Sequence, residues 1–168
     1  MAQANRKSNL NTPLLSIIIP HHGGFELLNA CLYSLAKSSF KDYEVIIVDN
    51  ASKDSSIKKI NQIYPDTNII SLKQNLGYAG GCNKGALKSK GEFLLFLNND
   101  TIHKPDWIEP LICVLQEDDK VASVQPKILN INKKHFDYAG ASGGFIDILC
   151  FPFLRGRIFN DTEIDNGQ

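Results

Sequence analysis

Two amides and a carboxylate directly follow an unbroken apolar run, and these three side chains could bind a cation beside a phosphate. The run covers residues 93–97, and Asn98, Asn99 and Asp100 come after it. Ligands of open α/β sheets bind outside the carboxyl ends of the strands, and a strand's two-residue period would turn Asn98 and Asp100 to the same side. Because hard divalent cations take oxygen ligands and retain bound phosphates, Asp100 is a candidate metal ligand. The same residues would also cap a helix starting near Pro105, and both interpretations stay open.

Polar side chains also stand at the ends of two further predicted strands. His21 follows the strand that ends at Pro20, and Asp49 closes the next one. Asp49 could accept a hydrogen bond from the ring N–H of a nucleotide base, or it could cap the turn behind it. His21 or His22 could line a base pocket through ring or backbone, and His103 could contact the metal or phosphates. Because the ends of parallel strands meet at one edge, a shared ligand site explains three polar ends better than capping does.

The elements that position these residues are predicted from hydrophobic periodicity. The predicted strands are residues 14–20, 44–49, 68–72, 93–97 and 121–129. The predicted helices cover residues 25–35, 57–63 and a segment from Pro105 with Trp107, Ile108, Leu111 and Leu115 on its buried side. This alternation demands right-handed crossovers, so we predict one α/β domain with a mainly parallel sheet flanked by helices. We expect the strand at 93–97 to be buried on both faces.

Small residues dominate the segment 75–85, which includes Gly80, Gly81 and Asn83. Glycines let a backbone approach a ligand closely, and a helix beginning here would present free N–H groups to an anion. Tight packing of a helix on the sheet would need the same glycines. Glycine clusters alone do not separate the two interpretations.

Composition excludes several classes of protein. The 168 residues carry 18 basic and 18 acidic side chains, which argues against a nucleic-acid partner. We find no signal peptide, no membrane-length apolar run, no Gly-x-Gly-x-x-Gly after the first strand and no Walker loop. The widely spaced cysteines indicate reduced, mostly buried thiols: Cys31, Cys82, Cys113 and Cys150. We assign one domain to residues 14–160, with a flexible N-terminus at 1–13 and a flexible tail at 161–168.

Five stretches, in this order and spacing, resemble the motifs of family 2 glycosyltransferases. They are residues 16–20, 32–35, 44–54, 75–85 and 96–101. The similarity is greatest to the rhamnosyltransferase-like, cell-surface polysaccharide branch. It implies the GT-A fold (the Rossmann-like nucleotide-diphospho-sugar transferase fold), a nucleotide-diphosphate sugar donor, and Mg2+ or Mn2+.

The resemblance also implies roles for single residues. Pro20 and His21 would line the base pocket, Asp49 would hydrogen-bond the base, and Asp100 would bind the metal. The remaining implied residues would border the nucleotide, its ribose and its phosphates: Asn75, Gly80, Gly81, Asn83, Asn98 and Asn99.

Three departures from the family pattern stand out. The run 21–23 replaces a Thr-x-Asn-like run, and Asn98 replaces the first acid of the metal motif. The family's general base lies in a second half of the domain, and neither Asp137 nor Asp147 matches it. We therefore expect the base beyond Gln168, and a truncated chain that carries the donor half.

The expected function is that of an inverting, metal-dependent glycosyltransferase of the hexosyltransferase type. Its acceptor would be a glycan or a lipid-linked molecule, in cell-surface polysaccharide synthesis. We expect the protein in the cytoplasm. Peripheral association with the inner face of the membrane stays open, and so does self-association through an exposed apolar surface. A catalytically inactive nucleotide-binding or interaction module, and a structural α/β domain without ligand, remain the alternatives.

Overall fold

The computed structural model of the protein describes residues 12–129 and the backbone of four short strands at 144–146, 152–154, 157–158 and 161–162. The chain divides into two compact units, Met1–Asp106 and Trp107–Gln168. The residues of interest for ligand binding lie in the first unit.

The first unit contains a four-stranded parallel sheet of order β3-β2-β1-β4. Its strands are β1 (Leu15–His21), β2 (Tyr43–Asp49), β3 (Asn68–Ser71) and β4 (Phe93–Phe96). The helices that connect them are α1 (Phe25–Ala36), α2 (Ser56–Ile63) and α3 (Gly77–Ala86). The predicted α/β architecture with a mainly parallel sheet is confirmed.

The strand order reverses between β1 and β4. The chain steps outward from β1 to β2 and β3, and then crosses back to place β4 on the other side of β1. Because parallel crossovers are right-handed, this return puts α3 on the sheet face opposite to α1 and α2. A reversal of this kind leaves a crevice at the carboxyl ends of the two strands on either side of it, β1 and β4, which is where ligands of such sheets bind.

The core is built around β1, whose seven residues are all buried. The side chains of Ile17, Ile18 and Ile19 are fully inaccessible, which explains why this strand is apolar without alternation. On the α3 side, Gly85 lies directly over Ile18 and Val48, so the helix approaches the sheet closely only because this residue has no side chain.

Two strand predictions need correction. β4 is not buried on both faces, since Leu94 and Phe96 are 44% and 47% exposed. Among the described strands β4 pairs with β1 only, so its second edge and the flanking face have less cover than a central strand. The predicted strand at 121–129 has no strand structure beyond one isolated bridge at Leu129. Pro126 lacks the N–H that a ladder requires, which disfavours pairing there.

The second unit contains α4 (Ile108–Glu117) and two short antiparallel pairs. The pairs are β5 (Gly144–Ile146) with β6 (Pro152–Leu154), and β7 (Arg157–Ile158) with β8 (Asp161–Thr162). The predicted helix start at Pro105 is wrong: this residue lies in a turn, and the most buried helical residues are Ile108 and Ile112 rather than Leu111 and Leu115. Asp137 and Asp147 lie outside the described residues.

The cysteines and the lengths of the apolar helices bear on two further expectations from the sequence. Cys31, Cys82 and Cys113 are free thiols, the first two of them buried. Cys150 lies outside this range. No helix in the part of the chain described is long and apolar enough to cross a membrane.

The close approach of α3 to the sheet gives a stability prediction. A Cβ at position 85 would overlap Cγ2 of Ile18, so Gly85→Ala is expected to destabilise the fold by about 1–3 kcal/mol. Lys84→Ala, on the exposed side of the same turn, should change stability by about 0.5 kcal/mol or less. Urea unfolding of both variants checks this, and equal stability of the two would contradict the packing account.

Candidate functional site

The polar strand ends predicted from the sequence meet at one edge of the sheet. His21 at the end of β1 is in register with Asp49 at the end of β2. β4 ends earlier, with Phe96 paired to Ile18. Continuing this register by three residues along both chains brings Asn99 opposite His21. We call this row of strand ends the carboxyl edge, and it includes the position where the strand order reverses.

The ring of His21 lies inside the protein and joins two loops. It is 1% exposed, and its Nδ1 accepts a hydrogen bond from Nδ2 of Asn99 at 2.9 Å. Its Nε2 therefore carries the proton and donates to Oγ of Ser56 at 2.9 Å. The hydroxyl of Ser56 in turn donates to Asp54. A continuous chain of hydrogen bonds thus runs from the start of α2 to the loop after β4.

Burial keeps His21 neutral, and hydrogen bonds keep the nearby Asp54 charged. Loss of hydration lowers the pKa of His21, although the carboxylates of Asp54 and Asp49 oppose the change. The hydroxyl of Ser56 and the backbone N–H groups of Gly24 and Ser56 donate to Asp54 and lower its pKa to about 2. The His21 ring is turned away from solvent, so the ring does not face a base pocket, and lining of that pocket by the backbone at Pro20 and His21 stays a prediction.

A second histidine holds the same loop, residues 98–101, from the side of α1. Thr101 Oγ1 donates to the carbonyl of Asn98 at 2.8 Å, so it accepts from Nε2 of His103 at 3.0 Å. Nδ1 of His103 lies 2.9 Å from Oγ of Ser34. Cys31 Sγ donates to the same Asn98 carbonyl at 3.6 Å. Burial lowers the pKa of His103 to about 4, so this ring is also neutral near pH 7.

The orientation of His103 corrects another expectation. From the sequence, His103 is a candidate contact of the metal or phosphates, but both of its ring nitrogens face the side chains of Ser34 and Thr101. Burial raises the pKa of the neighbouring Cys31 thiol to about 11, although hydrogen bonds with Thr101 oppose the change.

Asn98 and Asp100 face outward from this loop. Both are exposed, whereas Asn99 between them is partly buried on His21. This arrangement continues the alternation of β4, where Leu94 and Phe96 are exposed, so Asn98 and Asp100 lie on the same side as the strand period predicts, although residues 99–100 form a turn. Asn99, on the inner side, contacts the ring of His21.

Asn98 and Asp100 could hold a divalent cation only together with ligands from outside the protein. Within the described residues, no three His, Cys, Asp or Glu side chains are grouped to hold a metal ion by themselves. Mg2+-type sites usually take one or two carboxylates and complete their coordination with substrate phosphates and waters. The exposed carboxylate of Asp100 suits such a site, with Asn98 as a neutral oxygen donor beside it.

Asp49 and Asn50 shape the opposite side of the carboxyl edge. Oδ1 of Asp49 accepts the N–H of Ser52 at 2.9 Å, which is the capping role considered from the sequence. A carboxylate has acceptor capacity for several donors, so this cap is compatible with a contact to a base. The buried side chain of Asn50 donates to the carbonyl of Gly77 and accepts from the N–H of Leu76, which fixes the start of α3.

The small residues expected near a nucleotide lie in and before α3. Asn75 is exposed and accepts the N–H of Gly77 at 2.8 Å, and Asn83 is exposed on the helix. Gly81 is buried, and a Cβ there would lie 3.1 Å from Cβ of Pro20. Packing of helix on sheet therefore accounts for Gly81, and the expected turn at Gly80–Asn83 is part of a helix.

Sequence reasoning missed several residues that build this site. Ser34, Asp54, Ser56 and Thr101 all hold loops at the carboxyl edge through side-chain hydrogen bonds. Asp54 and Ser56 gave a local signal, because Asp two residues before a helix start is a good partner for its free N–H groups. Ser34 and His103 are 69 residues apart, and no local pattern predicts their contact.

Comparison with known proteins gives a consistent family match. The family model described as glycosyl transferase family 2 matches residues 16–163. An uncharacterized glycosyltransferase of Rickettsia typhi is 33% identical over 163 residues, covering 93% of this chain and 51% of that protein. A poly(ribitol-phosphate) beta-glucosyltransferase of Bacillus spizizenii is 37% identical over 92 residues, covering 51% of this chain and 14% of that protein. The chain spans about half the length of the first of these relatives.

Solved structures show the same fold. TarS of S. aureus, residues 1–349 in complex with UDP, superposes with a TM-score of 0.57 at 24% identity over 61% of this chain and 32% of that chain. The complex of the same protein with UDP-GlcNAc gives a TM-score of 0.52 at 26% identity, over 63% of this chain and 31% of that chain. The GT-A glycosyltransferase fold expected from the sequence is confirmed.

The buried His103 gives a prediction about acid stability. Its pKa is about 4 in the folded protein and ordinarily 6.5, so below pH 6.5 the unfolded chain binds a proton that the folded protein excludes. Stability should therefore fall as the pH is lowered from 6.5 towards 4. His103→Gln retains a donor for Thr101 but does not titrate, so it should lose less stability over this range.

Urea unfolding at several pH values measures the difference. Between about pH 7 and pH 5, wild type should lose about 1 kcal/mol more than His103→Gln, a figure reduced for the partial solvent screening of the ring. All other titrating groups are common to both proteins. Parallel stability curves for the two would show that His103 is not held neutral by the fold.

Proposed function

We propose a function from one premise: this chain belongs to glycosyl transferase family 2. Its first unit binds a nucleotide-diphosphate sugar at the carboxyl edge and forms the donor-binding part of a glycosyltransferase. The observation that carries this proposal is the meeting of Asp49, Asn98 and Asp100 at the edge where the strand order reverses. The UDP-GlcNAc bound by the structurally similar TarS supports the same ligand class.

The described residues suggest how the donor would lie. Asp49 stands at the end of β2 and would accept the ring N–H of the base. Asp100 lies on the other side of β1 and would hold Mg2+ or Mn2+, with Asn98 beside the ion or the ribose, and the ion would offset the charge of the diphosphate. Asn75 and Asn83 are exposed at α3 and would border the nucleotide, whereas Pro20 and Gly81 support the pocket by packing on each other.

The reaction is displacement at the anomeric carbon of the donor sugar. The acceptor oxygen forms a bond to this carbon, the bond to the diphosphate breaks, and the acceptor proton passes to a carboxylate. When bound, the cation neutralises negative charge on the leaving diphosphate. Because the family's base follows the donor half, we propose that the proton acceptor is supplied from beyond Gln168, with inversion at the sugar.

The finer assignments form part of the same proposal. The motifs support a rhamnosyltransferase-like branch, a glycan or lipid-linked acceptor and a role in cell-surface polysaccharide synthesis, at the inner face of the membrane. The relative named as a poly(ribitol-phosphate) beta-glucosyltransferase supports a polymeric acceptor of this kind. The exposed side chains of Leu94 and Phe96 on β4 support self-association, which gel filtration can detect.

The metal assignment predicts the effect of removing one charge. Asp100→Asn keeps the size of the side chain but lowers its affinity for a hard cation. Calorimetric titration with UDP, GDP and dTDP, with and without Mn2+, should show that the variant loses the gain in affinity given by Mn2+, about tenfold or more. The affinity of the variant for the nucleotides without metal should equal that of wild type.

Asp66→Asn is the matched control for this substitution. Asp66 is exposed and precedes β3, at the opposite edge of the sheet, so the same change of charge there should leave all affinities unaltered. Undiminished metal-dependent binding by Asp100→Asn would refute the metal assignment. Absence of any nucleotide binding by wild type would favour a structural domain without ligand.

Turnover separates a donor-binding part of an enzyme from an inactive module. We expect residues 1–168 alone to bind the donor without measurable transfer, because the acceptor-activating carboxylate is assigned to a second half. A longer protein of about twice the length, as in the relatives, should transfer the sugar. Rapid transfer by residues 1–168 would contradict the assignment of the base, and inactivity of the longer protein would favour the inactive module.

A further inference from the structure

We infer that His21 is a positioning residue for the metal site: its buried ring holds Asn99 inward and thereby keeps Asp100 and Asn98 facing outward. The inference rests on the proposed function, since it concerns the geometry of the same site. It assigns His21 no contact with the nucleotide and gives Asn99 a role in the orientation of its two neighbours.

The orientation of these three residues continues the alternation of β4 past the end of the strand. The N–H of Leu97 still donates to the carbonyl of Ile18 at 2.9 Å, but β4 has already ended at Phe96. The next residues form a turn whose side chains alternate from exposed Asn98 to partly buried Asn99 to exposed Asp100. The contact between Asn99 and His21 holds the inner side of this turn in place.

The donors and acceptors around position 21 match those of a neutral histidine ring. The single hydroxyl proton of Ser56 is donated to Asp54, so its oxygen must accept from Nε2–H of His21. The neutral ring then has a lone pair on Nδ1, which faces the amide of Asn99. Asp54 is held in place by the N–H groups of Gly24 and Ser56, so the tautomer of His21 is set by a rigid loop.

Two conservative substitutions separate the two functions of the ring. The substitution His21→Asn places a carbonyl oxygen near the position of Nδ1. This variant retains the acceptor for Asn99 and loses the donor to Ser56. The substitution His21→Gln places an amide nitrogen near the position of Nε2. This variant retains the donor to Ser56 and loses the acceptor for Asn99. Both replace a buried ring by a smaller amide, so they should affect general stability similarly.

The first measurement needs no ligand. Hydrogen exchange of the metal-free and nucleotide-free protein should show that His21→Gln speeds exchange at residues 98–101 by about tenfold, as expected for the loss of one buried hydrogen bond. His21→Asn should exchange there like wild type. Amides of the β1–β2 pairing serve as the internal reference for global opening.

The second measurement uses UDP and Mn2+. His21→Gln should lose most of the gain in UDP affinity that Mn2+ gives wild type, while its affinity without metal stays the same. His21→Asn should retain that gain. A purely structural role would weaken binding equally with and without metal, and equally in both variants.

The outcomes decide the inference separately from the proposed function. Unchanged exchange at residues 98–101 in His21→Gln, or equal effects of the two variants, would overturn the inference. If wild type binds none of UDP, GDP and dTDP with Mn2+, the proposed function fails, and the exchange comparison still decides whether His21 orients the loop. Asn99→Ala removes the same hydrogen bond from the other side and gives the same exchange test should His21→Gln not fold.

Discussion

One hydrogen bond, from the amide of Asn99 to the ring of His21, holds the loop after β4 in place. The bond joins the two strands between which the sheet order reverses, at the edge where ligands of open α/β sheets bind. The register of β4 on β1, continued three residues past Phe96, places Asn99 opposite His21. This contact keeps Asp100, and with it the candidate cation site, facing outward.

Two neutral histidines hold this loop from opposite sides, and both are neutral for the same reason. Burial removes the hydration that a charged imidazole needs, and each ring nitrogen faces a polar partner instead. The loop therefore combines a polar, outward-facing surface with an inner side that is tied to α1 and α2. Close packing of α3 on β1 and β2 through Gly81 and Gly85 completes the support of the carboxyl edge.

The sequence predicts the sheet and its polar edge because those features depend on local patterns. The continuous apolar run of β1 indicates a strand buried on both faces, and Asp49 at the end of β2 indicates the edge that a ligand would meet. The exposure of Leu94 and Phe96 could not be predicted in this way, since burial depends on which neighbours cover a strand. The orientations of His21 and His103 depend on partners 78 and 69 residues away, and their rings therefore turn inward without any local signal.

Crystals of this chain with UDP and Mn2+ would test the central claim most directly, because anomalous scattering locates the metal independently of the nucleotide. The account predicts a Mn2+ ion about 2 Å from a carboxylate oxygen of Asp100, bridged to the diphosphate, with the base near Asp49. A metal bound away from Asp100, or a nucleotide bound at the opposite edge of the sheet, would contradict it.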